Sequence, residues 1–401
     1  MKKLMFALAM SASLFCRAEF NSSDDGKMRA FAPITLSDSN LDFWLNVPPN
    51  TVLIPTISKV YKNEKFLYLP LLVNIVDKDG ESFKGKYRLS YRRLPDGELK
   101  TYAENTFDGK QDKKSEMFLL NPTVVFMFED SDEIGKYEFV FDFENLSNDT
   151  SASAKTNVVL AEWTHAGTVA EAEFSKTMTD FNKSFSPETL YSLFASPTCS
   201  FKQKGGVNYS VYYFFLYGLK KHGFLLKIIA KDFERMKGER RFNALVMLSA
   251  LNAANLAKGA TPAELEAAKE FNAVAENLSF GGARLDSYWG EFFASGRAQP
   301  MYNVIENMLK KHEAGKKLFK KLSGETVDIS KSEIIDGAVF GAAGWSLASI
   351  MNSNDLAKKF AAAYLMRMKE SDKHEFLSAF EDAQKLSRKM RENKAKSDGE
   401  K

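Results

Sequence analysis

The chain has 401 residues, with 55 Lys or Arg against 52 Asp or Glu and a formal net charge of +3. Its first 18 residues hold Lys2, Lys3 and Arg17 and no acid, so residues 19–401 carry 52 charges of each sign and net to zero. That excludes the basic excess with which a protein displaces counterions from nucleic acid, and no nucleic-acid partner is expected. The length suffices for two domains with separate cores.

Residues 1–18 have a basic start, a short apolar run and a small residue, Ala18, at the end. They read as a secretory signal peptide, too short to span a bilayer. Phe15 stands where a small residue precedes a lipid-modified cysteine, which counts against lipidation of Cys16. No later stretch reads as a transmembrane segment, so the expected location is periplasmic or secreted. Once Cys16 leaves with the leader, Cys199 is the only cysteine. Stability then rests on packing, not on an internal disulfide.

Residues 31–163 read as a β domain. Aromatic and β-branched runs at 51–58, 66–77, 85–94, 99–107, 117–129, 135–146 and 155–163 are separated by turn residues. Tyr137, Phe139, Phe141 and Phe143 alternate with Glu138, Val140, Asp142 and Glu144, which gives one apolar face. Pro95-Asp-Gly97 supplies a turn, and 145–154 reads as a polar loop. Seven such strands predict an immunoglobulin-like β-sandwich.

Near residue 167 the period turns helical, and 168–391 reads as helices with a charged tail at 392–401. Leu285, Tyr288, Trp289, Phe292 and Phe293 form one stripe; Met301, Val304, Ile305, Met308 and Leu309 form another. Gly296 between them suits a helix end, and Pro300 suits the first turn of the next helix. The pattern recurs. Asn208 to Gly218 lines up with Asp286 to Gly296, and Ala244 to Ala254 with Val339 to Ser349, with an insert at 310–331 in the second copy. Repeated helix pairs predict a solenoid-like array of stacked hairpins, and the fold class is α+β with two domains.

Two motifs of this region, Trp289-Gly-Glu-Phe-Phe-Ala-Ser-Gly296 and Gly341-Ala-Ala-Gly-Trp-Ser-Leu-Ala-Ser349, carry a resemblance to a group of secreted bacterial proteins. In the β part, Pro48-Pro49, Pro95-Asp-Gly97 and Gly135-Lys-Tyr137 are similar to segments of related proteins. The resemblance implies an N-terminal immunoglobulin-like domain and a C-terminal helical one. It implies no activity, catalytic residue or cofactor.

Catalytic signatures are incomplete. Gly80 to Lys86 has phosphate-loop spacing, but Tyr87 replaces the magnesium-binding hydroxyl and no helix comes after it. His312-Glu313 and His374-Glu375 start a zinc-protease pattern that fails at Lys316 and Ser378. The histidines read as exposed helix-end residues, and no metal is expected. No Gly-x-Ser-x-Gly elbow occurs. Cys199, with His222 the nearest imidazole, reads as a small core hydrophobe and not as a nucleophile. Asp286 and Glu291 fall on different sides of their helix.

Two features suit a partner. Tyr209, Tyr212, Tyr213 and Tyr217 crowd one helix, as an aromatic platform or as a helix buried between neighbours. Lys316, Lys317, Lys320 and Lys321 form a basic run that fits an anionic surface or a solvated face. The sequence therefore predicts a non-enzymatic binding or scaffolding protein of the cell envelope, its partner another envelope or secreted protein. The alternative is an envelope-polymer hydrolase using paired carboxylates in a groove between the domains.

Overall fold

The structure is a computed structural model that describes residues 28–36, 56–76, 82–110, 117–120, 124–164, 167–278 and 281–399. The leader, Cys16, Pro48-Pro49 and His165 lie outside them. Two compact units emerge. The β unit takes the described residues up to 164 together with the short segment 221–224; the helical unit takes the rest.

The described strands of the β unit are β1 (Arg29–Phe31), β2 (Ile34–Thr35), β3 (Lys59–Tyr61), β4 (Lys65–Tyr68), β5 (Leu71–Val73), β6 (Ser82–Arg93), β7 (Lys100–Lys110), β8 (Met117–Leu119), β9 (Val124–Met127), β10 (Gly135–Asn145) and β11 (Thr150–Ala161). A five-stranded sheet runs β3-β11-β10-β6-β7, antiparallel except where β3 joins β11 in parallel. Two three-stranded antiparallel sheets run β1-β5-β8 and β2-β4-β9.

This corrects the immunoglobulin-like sandwich. The expected strand 66–77 is two strands in two different sheets, β4 and β5, separated by Leu69-Pro70. Proline has no N–H to give a ladder, so pairing stops there. Pro33 separates β1 from β2 in the same way. The two breaks meet: the Leu69 N–H donates to the Pro33 carbonyl at 3.0 Å, and the Leu120 N–H to the Pro70 carbonyl at 3.0 Å. The run 117–129 likewise divides into β8 and β9. The polar stretch 145–154 is also shorter as a loop than its composition suggests. Only residues 146–149 turn, and β11 begins at Thr150.

The alternation read along β10 holds. Tyr137, Phe139, Phe141 and Phe143 are all buried, in one core with Phe66, Tyr68 and Phe126. The Phe126 and Phe139 rings meet edge to face at 5.1 Å, a favoured aromatic geometry.

The helical unit comprises α1 (Glu171–Asp180), α2 (Pro187–Ala195), α3 (Tyr209–Lys221), α4 (Leu225–Asp232), α5 (Gly238–Ala250), α6 (Pro262–Glu276), α7 (Gly282–Ser295), α8 (Ala298–Lys310), α9 (His312–Leu322), α10 (Lys331–Ser353), α11 (Asp355–Arg367) and α12 (Glu370–Gly399). Lys221, the last residue of α3, is counted with the β unit. Between α2 and α3 lies a small hairpin, β12 (Lys202–Gln203) and β13 (Gly206–Val207). Gly296 ends α7 in the left-handed conformation, φ 64°, and its N–H closes on the Phe292 carbonyl at 2.8 Å. The Leu285–Leu309 hairpin is thus built as its sequence dictates.

The helices keep the order of the duplicated pattern: α3 to α6 in the first copy, α7, α8, α10 and α11 in the second, with α9 as the insert. The stacking does not keep it. In a solenoid each pair meets only its neighbours. Here α10 packs against α7, α8, α9, α11 and α12. Its small residues allow this: a Cβ on Gly344 would stand 2.3 Å from the Ala383 Cβ of α12. The solenoid-like array is corrected in this half of the unit, where α7, α8, α9, α11 and α12 gather around α10.

Two further expectations change. Among the described residues α10 alone is long and apolar enough to cross a bilayer, where none was expected after the leader. Residues 392–399, read as a charged tail, continue α12 as helix.

Candidate functional site

The site is built where α7 crosses α3. A Cβ on Gly290 would meet the Ser210 carbonyl oxygen at 2.3 Å and the Phe214 amide nitrogen at 2.9 Å, so only glycine permits this approach. The crossing sets the next residue of α7, Glu291, against Tyr217 of α3.

Tyr209, Tyr213 and Tyr217 are spaced by four and share one face of α3. All three are half-buried, while Tyr212, Phe214 and Phe215 are sealed inside. The Tyr213 and Tyr217 rings lie 6.4 Å apart with planes 28° from parallel. Their hydroxyl ends are held: Tyr213 donates to the Ala275 carbonyl at 3.3 Å, and Tyr217 bonds Glu291. The Lys220 ammonium lies 5.2 Å from the Tyr217 ring centre. Arg297 reaches Glu291 at 3.6 Å.

Burial shapes the electrostatics of this surface. It pushes the Glu291 carboxyl above its usual range; the Tyr217 hydrogen bond and the charges of Arg297 and Lys220 pull the other way. Burial, reinforced by the Glu291 charge, moves the Tyr217 phenol to about 12. Burial also raises Tyr213, with Glu276 adding to it, and Asp286. A fixed aromatic ladder results, about 12 Å from Tyr209 to Tyr217 at 1.5 Å per residue, edged by donors and acceptors.

The residues proposed from sequence sort unevenly. Tyr209, Tyr213 and Tyr217 come together, whereas Tyr212 leaves the platform: it is fully buried and donates to Asn272 at 3.0 Å. Lys316 and Lys317 are tied to Glu313 at 2.8 Å and Glu333 at 2.6 Å. Lys320 and Lys321 are exposed on the same helix, α9. Cys199 is buried beneath Asn243, and burial pushes its thiol up, away from the reactive thiolate. Gly85 and Lys86 of the phosphate-loop spacing lie inside β6, where Lys86 pairs with Glu104 at 2.9 Å.

The reading of the histidines as exposed is corrected for two of them. His222 is fully buried, with Nδ1 2.7 Å from Glu64 Oε1. His312 is buried, 3.0 Å from Asp382, with its ring stacked 5.4 Å from Phe340. His374 is exposed. Among the described residues no three His, Cys, Asp or Glu side chains gather as metal ligands.

Sequence reasoning missed Glu291, Lys220 and Arg297 as the rim of the ladder. Gly290, a lone glycine inside a strongly helical pattern, was the available signal of a close crossing. A scan of protein-family models finds no match to the chain, and a search of the curated proteins finds none either.

Proposed function

We propose that the protein is a non-enzymatic binding or scaffolding protein of the cell envelope, and that the α3–α7 surface is where it holds its partner, another envelope or secreted protein. The observation that carries this reading is the ladder of Tyr209, Tyr213 and Tyr217, left half open, with the Tyr213 and Tyr217 rings held by their hydroxyl bonds. Aromatic rings with a polar tip give much contact area at little entropic cost, and Tyr and Arg dominate binding hot spots. The rim of Lys220, Arg297 and Glu291 adds the polar groups that fix register. The leader-like residues 1–18 support the extracytoplasmic placement.

The test is retention of envelope proteins on the immobilised full chain, compared with a Tyr213→Ala/Tyr217→Ala variant of unchanged circular dichroism. The native chain should retain a specific protein, with affinity falling at least about 30-fold in the variant, the effect of one strong hot spot. Equal retention by both chains, or none across a range of ionic strengths, would overturn the proposal.

A further inference from the structure

We infer that the protein pairs with a second copy of itself through the outer face of α10, an antiparallel helix–helix contact centred on Ala342. A helix apolar on all sides is normally enclosed. From Gly337 to Ser353 α10 has no charged residue, yet one face is open. Ile335 is 48 % and Trp345 50 % exposed. Ala342, Ser349 and Asn352 are exposed with them, and Ala338 is half-buried.

These positions fall at alternating steps of three and four residues. That is the spacing of a seam between two helices in a left-handed pair. The seam is self-complementary when the second helix runs antiparallel. Trp345 then lies over Ala338 of the other copy, Ile335 over Ser349, and Ala342 meets its own equivalent at the twofold axis. Each large side chain faces a small one, and the contact is the same patch on both copies.

Charge selects the same partner and orientation. Lys331 lies on this face at the N-terminus of α10, where its charge opposes the helix dipole. In the antiparallel pair it stands by Asn352 of the other copy, at the C-terminal end, where a cation is favoured. An anionic lipid surface is matched less well. The lysine-rich α9 packs on the other side of α10, Leu318 against Gly337 and Gly315 against Phe340, so its cations do not border this seam.

The test is sedimentation equilibrium on the full chain. The native protein should form a dimer. Ala342→Glu, which sets two carboxylates together at the axis, should weaken it at least about 100-fold, and Lys320→Glu should leave it unchanged. Because position 342 is exposed, the glutamate should not disturb the fold; Trp345→Ala gives a second variant that should also weaken pairing. In a Cys16→Ser background, Ala342→Cys should form a disulfide-linked dimer. Ile335→Cys should link to Ser349→Cys in a mixed sample but not to itself. A native monomer at every concentration, a dimer indifferent to Ala342→Glu, Ile335→Cys linking to itself, or insertion of this face into lipid vesicles in place of pairing would each overturn the inference.

Discussion

Gly290 and Ser210 stand at a close backbone approach between α7 and α3: a methyl group on Gly290 would lie 2.3 Å from the Ser210 carbonyl oxygen. Helices normally keep 8–10 Å between axes because side chains separate them. Removing the side chain at this one position lets α7 settle onto the backbone of α3, and the tyrosine ladder and Glu291 are aligned by that contact.

Gly290→Ala should therefore destabilise the protein by about 3 kcal/mol, the upper range for overpacking, because the Ser210 carbonyl and the Phe214 amide are backbone and cannot turn aside. Gly218→Ala is the contrasting case. Its nearest neighbours are the Leu190 methyl carbons at 2.9 and 3.0 Å, a flexible side-chain end that can move. Alanine also gains up to about 1 kcal/mol of helix propensity over glycine. Thermal melts of the two variants should separate them clearly, and similar melting temperatures would show that the Gly290 contact yields more easily than its geometry implies.

Glu291→Gln probes the charge at the ladder. Burial raises this carboxyl above its ordinary value. Between the unfolded and folded values the folded state holds more protons, so this group's contribution falls as pH rises through that window. The glutamine variant should be as stable as the native chain or more so at pH 7, and the difference should shrink as pH falls through the raised value and be gone by about pH 4.5, the ordinary glutamate value. A clear loss of stability in Glu291→Gln at pH 7 would mean that the Arg297 contact outweighs burial.

How much of the fold was legible depends on the range of each cause. The β10 alternation and the Gly296 helix end rest on residues a few positions apart, and both were readable. The division of 66–77 was marked by Pro70, but a proline shows only that pairing stops, not that the strand resumes in another sheet. The spacing of Tyr209, Tyr213 and Tyr217 was visible. Which face of α3 stays open depended on α6 and α7, as the Tyr212–Asn272 bond shows. The central place of α10 came from contacts with five other helices, which no local pattern encodes.

Acid should loosen the helical unit through two capping boxes. Thr261 with Glu264 opens α6, and Ser330 with Glu333 opens α10. The Arg241 hydrogen bond chiefly holds Glu264 at about 2, and the Lys317 hydrogen bond chiefly holds Glu333 at about 2. A depressed carboxyl stabilises the fold above its unfolded value, and that help is lost as pH falls from about 4.5 towards 2. Circular-dichroism melts across this range should show a drop that Glu264→Gln and Glu333→Gln each reduce. Substitution of the partner hydroxyl, as in Ser330→Ala, should cost about 1 kcal/mol at neutral pH. An acid limb of the same depth in both glutamine variants would place the sensitivity elsewhere.

The last prediction concerns the Glu64–His222 pair of the β unit. Glu64 and His222 are 158 positions apart in sequence, 2.7 Å apart in space, and almost wholly buried. Glu64 uses its other oxygen to accept the Tyr61 N–H at 3.0 Å. Tyr61 in turn packs against Trp163 and Phe224, with ring centres at 5.2 and 5.4 Å. Breaking one side of such a pair leaves a buried polar group without its match and costs about 3–5 kcal/mol, whereas replacing both sides with apolar groups of similar size is often near neutral. Glu64→Leu and His222→Leu should each destabilise strongly in urea unfolding, and the Glu64→Leu/His222→Leu double variant should recover most of the loss. Losses that simply add in the double variant would show that the two residues act on stability independently, and that the short contact between them is not what holds this corner of the fold.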